Sequence, residues 1–271
     1  MRRSKCLKVI YIYMKLGFLL TIIPSVIAFL YDESVAQRNI QLAAATYCGT
    51  DEIQTWSCKH CVPEIDVIDV IIGETNIVIA FDMIQNATIF AFRGSSNIKN
   101  WISNFELRFT SPYIDENIKV HRGLYNEYLL YKNTLMEYLP KDRHNKIVIT
   151  GHSSGAALSM FLAYDIHNEY DVTVYTFGKP RIGNANFAES ANQINHYRIT
   201  HHNDIVPHLP EEVLHYRHTN TEIWYSGDDD KHNICITNED NACSNSCAPL
   251  RCDSIDDHLY YMMTNIGSDY C

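Results

Sequence analysis

The apolar positions change period several times along this chain, and each change predicts an element. Residues 32–47 carry Ala and Leu at helical spacing, which predicts a helix lying on one face of a sheet. From residue 64 the rhythm shifts to β-branched runs. Glu64–Ile72, Asn76–Met83 and Ala87–Arg93 read as three strands, with Gly73-Glu74 and Gln85-Asn86 as turns. Connections this short predict an antiparallel meander. Ile98, Trp101, Ile102 and Phe105 then fall at i, i+3, i+4 and i+7, one apolar face of a short helix. Periodicity alone leaves a core-packing helix and a mobile flap equally open. Arg122–Leu139 predicts an amphipathic helix with Leu124, Tyr128, Tyr131, Leu135 and Leu139 inward, ended by Pro140. Beyond it, strands at Ile147–Thr150, Val172–Phe177 and His196–Thr200 alternate with helical segments, the last of them Asn184–Gln193. Such alternation predicts an α/β fold around a mainly parallel sheet. Thr221–Ser226 adds a late strand, and Ile255–Asn265 reads as a short terminal helix.

The centre of this pattern is Lys146–Ala163. A β-branched run with the composition of a buried parallel strand meets a segment rich in Ala, Leu and Met, which prefers helix. Between them stands Gly151-His152-Ser153-Ser154-Gly155, a G-x-S-x-G match. A serine at such a turn takes a strained backbone conformation that lifts its hydroxyl above the sheet edge. The following helix points its N-terminus at the place where negative charge would develop. The pentapeptide by itself also fits an ordinary glycine-rich strand-to-helix turn, so the rest of the chain has to supply an acid and a base.

A serine nucleophile needs a base to take its proton and a carboxylate to hold that base. In α/β-hydrolases these follow in the order Ser, Asp or Glu, His. Asp204 comes just after the strand that ends at Thr200, where such an acid belongs; Asp165 and Asp171 flank a helix at the far end of the sheet. His208, His215, His218, His232 and His258 all follow Asp204, and position alone does not choose among them. The pattern favours His258, late enough to fold back over the catalytic edge.

Composition narrows the classes further. Of 271 residues, 46% are hydrophobic and 20% charged, an ordinary globular balance with no internal repeat. Arg2, Arg3, Lys5 and Lys8 precede an apolar run from Leu16 to Ala28 that ends in Val26-Ile27-Ala28, the pattern of an export signal cleaved after residue 28. An uncleaved anchor is the alternative, weakened by Lys15 within the apolar stretch. The whole chain has 22 basic and 32 acidic side chains; without the five cations of residues 1–28 the net charge moves from −10 to −15. So acidic a chain is a poor partner for nucleic acid. Once Cys6 leaves with the leader, eight cysteines remain, an even number that reads as up to four disulfides in an oxidising compartment. Zinc is the rival reading, since Cys58-x-x-Cys61 and Cys243, Cys247 and Cys252 have ligand-like spacing, but the export signal favours oxidation. Asn86-Ala87-Thr88 is a glycosylation sequon in a turn before a strand. Asp228-Asp229-Asp230 reads as a solvated acidic turn rather than a calcium site.

Six blocks then occur in order across residues 47–271: Phe92-Arg93-Gly94-Ser95-Ser96-x-Ile98-x-Asn100-Trp101; His121-x-Gly123-Leu124-Tyr125; Gly151-His152-Ser153-x-Gly155-Ala156-Ala157-Leu158; Phe177-Gly178-x-Pro180-Arg181-x-Gly183-Asn184; His202-x-Asp204-x-Val206-Pro207-x-Leu209-Pro210; and His258-Leu259-Tyr260-Tyr261. Together they resemble the fungal-type class 3 lipases. The resemblance implies a single α/β-hydrolase domain over residues 29–271, with helices on both faces of the sheet and a short helical lid. It implies Ser153 as nucleophile, Asp204 as acid and His258 as base. Ser95, through its N–H and hydroxyl, and the N–H of Ser154 would form the oxyanion hole. Ile98, Trp101, Ile102 and Phe105 would form the lid, which favours the flap over the packing helix. It further implies Cys48–Cys271 and Cys58–Cys61 disulfides, with the pairing of Cys235, Cys243, Cys247 and Cys252 left open. The expected protein is a secreted triacylglycerol lipase, working as a monomer at a lipid–water interface on glycerolipid esters with no metal or organic cofactor. A phospholipase or feruloyl esterase on the same scaffold is the nearest alternative, and a surface-binding protein with a decayed site a remote one. The chain departs from the family at Ser154, where leucine is usual, and in its four cysteines between 235 and 252.

Overall fold

The three β-branched runs near the start of the sheet do form the expected meander. A computed structural model of the protein describes residues 31–227, 231–248 and 251–271. The expected leader and Asp228-Asp229-Asp230 therefore lie outside the described residues. In chain order the elements begin with α1 (Glu33–Ala45) and the short α2 (Thr50–Gln54), then β1 (Ile65–Ile71), β2 (Ile77–Asp82) and β3 (Ala87–Phe92). There follow α3 (Ile98–Ser103), the two-residue pair β4 (Phe109–Thr110) and β5 (Val120–His121), and α4 (Arg122–Glu137). The central unit is β6 (Lys146–His152), α5 (Ser154–Ile166) and β7 (Val172–Phe177). Then come α6 (Ala185–Ser190), β8 (Asn195–His201), β9 (Glu222–Tyr225), β10 (His232–Cys235) and a terminal hairpin of β11 (Tyr260–Tyr261) and β12 (Thr264–Asn265).

Eight strands form one sheet in the order β1-β2-β3-β6-β7-β8-β9-β10. The run from β3 to β9 is parallel, while β1, β2 and β10 join antiparallel at the two sides. Alternation along the strands divides the interior in two. Ile77, Ile79, Phe90, Phe92, Ile147, Ile149, Val172 and Val174 share a core with Leu124, Tyr128, Tyr131 and Leu135 of α4, Phe161 and Leu162 of α5, and Phe187 of α6. The intervening residues face the other way, where Thr150 Oγ1 donates to the Asn39 carbonyl of α1 at 3.1 Å. Helices thus cover both faces, as a sheet buried on two sides requires.

Two helices differ from expectation. Asn184–Gln193 is an α-helix only over Ala185–Ser190, capped by Asn184 Oδ1 on the Phe187 amide at 3.0 Å, and tightens to a 3-10 turn over Ala191–Gln193. The expected terminal helix over Ile255–Asn265 is instead a 3-10 turn, Asp257–Leu259, followed by the β11–β12 hairpin. Met262 and Met263 take positive φ at its tip, the geometry of a tight hairpin turn, and the adjoining tyrosines and threonine rank higher in strands than in helices.

The eight described cysteines all lie in disulfides: Cys48–Cys271, Cys58–Cys61, Cys235–Cys243 and Cys247–Cys252. The first ties the segment after α1 to the last residue; the last two brace the loop between β10 and the terminal hairpin. His208 lies beside Cys247 and Cys252, but with those sulfurs bonded to each other the group offers no thiolate ligands. Asn86 sits exposed in the β2–β3 turn.

Burial also sets an acid limit on the fold. His121, His152, His196 and His218 are all buried, and burial is the main force holding each below its ordinary pKa, His121 at about 4. In the unfolded chain each takes up a proton near pH 6.5. Below that pH the unfolded state binds more protons, so stability is full above pH 6.5 and declines as pH falls toward 4. Each histidine contributes about 1.4 kcal/mol per pH unit to the decline. Urea midpoints measured from pH 7 down to pH 4.5 should fall accordingly. His121→Asn keeps an acceptor for the Leu124 amide that His121 Nδ1 caps at 3.2 Å, and should flatten the slope by one histidine's share.

Candidate active site

The serine turn is built by close approach of backbone. β6 lies between β3 and β7, buried from Ile147 to His152. Ser153 then takes φ 59°, ψ −130°, a region that non-glycine residues occupy only when the surroundings hold them there. Gly155 makes this possible, because a Cβ on it would stand 2.5 Å from the carbonyl oxygens of both Phe92 and Arg93. The first turn of α5 can therefore seat directly against the end of β3, where Ser95 follows. Ser154 is the first residue of α5, so its N–H is one of those a helix leaves without an internal partner.

Asp204 follows β8 and is 1% exposed. Its Oδ1 accepts the Val206 amide at 2.8 Å. Its Oδ2 accepts His258 Nδ1–H at 2.8 Å and the Tyr261 hydroxyl at 2.5 Å. Burying a carboxylate is costly unless donors replace water, and here three do. His258 and Tyr261 both come from the terminal turn and hairpin, so the departure from a helix there is what delivers them. Gly178, at φ +59°, leaves the room they need: a Cβ there would lie 2.8 Å from the His258 ring and 3.0 Å from Asp204 Oδ2.

With Nδ1 committed to Asp204, His258 presents Nε2 as a proton acceptor. That nitrogen is buried without a hydrogen-bond partner, and so is Ser153 Oγ. A second histidine supports the first. His152 Nε2–H donates to the His258 carbonyl at 2.8 Å, the two rings lying 4.4 Å apart between centroids. A carbonyl only accepts, so Nδ1 of His152 is the bare nitrogen and accepts a hydrogen bond from the Tyr47 hydroxyl at 2.8 Å. The Tyr47 oxygen in turn accepts the Gly94 amide at 3.0 Å. Burial, reinforced by the neighbouring His258, keeps His152 neutral, and burial raises the Tyr47 pKa. The chain Gly94–Tyr47–His152–His258 thus couples the strand end before Ser95 to the turn that carries His258.

Ser95 is half-buried, with its hydroxyl 3.4 Å from the Asn97 carbonyl. Asn97 caps α3 by accepting the Asn100 amide at 3.0 Å. On α3 and just beyond it, Ile98, Trp101, Ile102 and Phe105 are each half-buried; Trp101 packs on Phe105 at 4.3 Å and Phe105 on His121 at 4.5 Å between ring centroids. Ser153 and Asp204 are 1% exposed and His258 is 0% exposed, so a substrate reaches them only after a movement.

The structure therefore brings Ser153, Asp204 and His258 to one edge of the sheet, with Ser95 and Ser154 just beyond the ends of the adjoining strands β3 and β6. Tyr47, His152, Gly178 and Tyr261 complete the surroundings and had no functional reading from sequence. His152, Gly178 and Tyr261 stood inside quoted blocks, but only the fold shows what they touch.

Residues 89–214 match the family profile of lipase (class 3). The chain is 30% identical to a lipase of Rhizomucor miehei over 246 residues, 83% of this chain and 67% of that relative. The chain belongs to the class 3 lipases. A secreted mono- and diacylglycerol lipase A of Penicillium camembertii is also 30% identical, over 206 residues and 68% of each chain. Among solved structures, lipase II of Rhizopus niveus superposes with a TM-score of 0.80 at 28% identity, covering 87% of this chain and 96% of that one. Against the full lipase sequence of the same organism, the chain spans 62% of the relative's length. The family's fold, an α/β-hydrolase sheet, is the one described above.

Gly178→Ala should test how tightly this site is packed. The added methyl must displace the His258 ring or the Asp204 carboxylate, and a misplacement near 1 Å costs about 10² in turnover. Turnover of a soluble short-chain ester should drop by roughly that factor, with the variant still folded by circular dichroism. Unchanged turnover would show that the imidazole has room to spare.

Proposed function

We propose that the protein is a secreted serine hydrolase that cleaves carboxylic ester bonds of glycerolipids, triacylglycerol first among them, at a lipid–water interface. The observation that carries this reading is the buried imidazole of His258, held by Asp204 through Nδ1 with Nε2 unpartnered, in a fold where Ser153 Oγ is also unpartnered. Ser153 Oγ attacks the ester carbonyl as its proton passes to His258 Nε2, and Asp204 stabilises the imidazolium. The tetrahedral oxyanion accepts hydrogen bonds from the amides of Ser95 and Ser154 and from the Ser95 hydroxyl. Collapse expels the alcohol, which takes the proton from His258 and leaves an acyl-enzyme. Water, deprotonated by the same imidazole, then attacks the acyl-enzyme; Ser153 is restored and the fatty acid leaves. All of these groups belong to the chain itself.

The Ile98–Phe105 segment serves as the lid. Its half-buried apolar side chains lose little when they move from protein to lipid, so an interface favours the open state. Four disulfides and a secreted relative support export, as does the sequence of the first 28 residues. The same relative, a mono- and diacylglycerol lipase by name, makes partial glycerides the second substrate class to test.

Hydrolysis of a short-chain triglyceride should rise sharply as the substrate passes its solubility limit, and should vanish in Ser153→Ala. Smooth saturation below that limit would instead describe an esterase for dissolved substrates, and turnover in Ser153→Ala would remove the serine from the mechanism. Ser95→Ala should lower kcat by about 10²–10³ with little change in KM, the effect of losing one oxyanion donor. Comparing tri-, di- and monoglycerides in one assay separates the two substrate classes.

A further inference from the structure

The turn that carries His258 is fastened from behind by the residue before it. Asp257 Oδ2 accepts two hydrogen bonds from the segment leading to Asp204, one from His202 Nδ1–H at 2.9 Å and one from the Asn203 amide at 3.0 Å. The Asp257 carbonyl accepts a third from His201 Nδ1–H at 3.1 Å. Its own amide donates to Ser254 Oγ at 3.0 Å. Ser254 is itself paired across Asp204: its amide donates to the Asn203 carbonyl at 3.0 Å, and its carbonyl accepts the Ile205 amide at 3.2 Å. His202 holds φ +40°, a conformation costly for a non-glycine residue, and its bond to Asp257 helps to keep it there.

The His201 ring also packs on Tyr260 and Tyr261, at 5.6 and 5.7 Å between ring centroids. A surface hollow of about 440 Å³ opens on this side, lined among others by His201, Asp256, Asp257, Tyr260 and Tyr270. With that side of the turn open, the bonds to Asp257 are what tie it to the His201–Asn203 segment. The segment held this way supplies His258, and the segment it is tied to supplies Asp204.

We propose that Asp257 is a positioning residue for the catalytic base, its carboxylate and carbonyl clamping the His258 turn to the His201–Asn203 segment and so setting the His258–Asp204 hydrogen bond. The proposal rests on the Ser153–His258–Asp204 reading above. Asp257 touches neither substrate nor the reacting atoms; it acts through the chain on either side of the base. His202 is the second half of the clamp.

Asp257→Ala, Asp257→Asn and His202→Ala should be compared with the parent on a soluble short-chain ester, alongside thermal unfolding and the rate at which an alkylphosphonate labels Ser153. Phosphonylation needs the same imidazole-assisted serine but no droplet interface. Asp257→Ala should lower kcat by about 10- to 100-fold at unchanged KM, as expected for a sub-ångström to 1 Å displacement of the base. Labelling should slow in parallel. Asp257→Asn keeps an oxygen acceptor for the Asn203 amide and should recover part of the loss, with His202→Ala smaller than either. Unchanged kcat and labelling in both Asp257 variants would overturn the proposal, as would a rise in KM alone or a loss confined to the temperatures at which each variant unfolds. Labelling that persists in Ser153→Ala would overturn the triad reading instead, which keeps the two failures distinct.

Discussion

Everything at the active edge of this sheet depends on one buried carboxylate. Asp204 is shut away from water and receives its compensation from three donors, one from its own loop and two from a hairpin more than fifty positions away. The Val206 amide fixes the carboxylate to its own loop. The His258 imidazole and the Tyr261 hydroxyl arrive from the terminal hairpin. A carboxylate left with one donor fewer at this depth would sit in an environment hostile to its charge. The folded state therefore holds the hairpin, the β8 loop and the Gly178 turn as one assembly.

A second set of buried charges stabilises the same strand ends. Arg198 of β8 pairs with Glu222 of β9 at 3.0 Å with both side chains 1% exposed, and Arg181 pairs with Glu239 at 2.7 Å. Glu222 also accepts from Thr200 Oγ1 at 2.7 Å and from the Ser244 hydroxyl, which brings in the disulfide-braced loop. Lys179, next to Gly178, is wholly buried and donates to the Pro180 carbonyl; burial, with Arg198 nearby, drives its pKa well down. Removing one partner of a buried pair costs about 3–5 kcal/mol because the other charge is left stranded. Such pairs make the loop geometry around residues 178–181 and 198–204 rigid at the point where chemistry needs rigidity.

Access is the opposing requirement. The triad is closed to solvent, while α3 and Phe105 contact the body through a few half-buried apolar side chains. In the proposed reading the short helix α3 leaves the surface, whereas the hairpin that holds His258 stays, being fastened by Asp204, by the carbonyl that His152 grips, and by the disulfide from Cys48 to Cys271. Mobility and fixity are thus assigned to different segments.

The sequence by itself determined the opening meander, the alternation of strands and helices from β6 to β9 and the serine turn, because these rest on local periodicity and on glycines that only a tight turn requires. The pattern favoured His258 among five histidines; family resemblance selected it and paired four of the cysteines. The tertiary structure alone decided that residues 257–265 form a turn and hairpin rather than a helix, since the bonds that hold Asp257 and Tyr261 come from residues 201–204, more than fifty positions away. It alone joined Cys235 to Cys243 and Cys247 to Cys252. It alone revealed the Tyr47–His152 link. Local sequence encodes which conformations a segment can take; which polar atoms meet in the dark interior is set by distant chain, where the cost of an unmatched charge or carbonyl is highest.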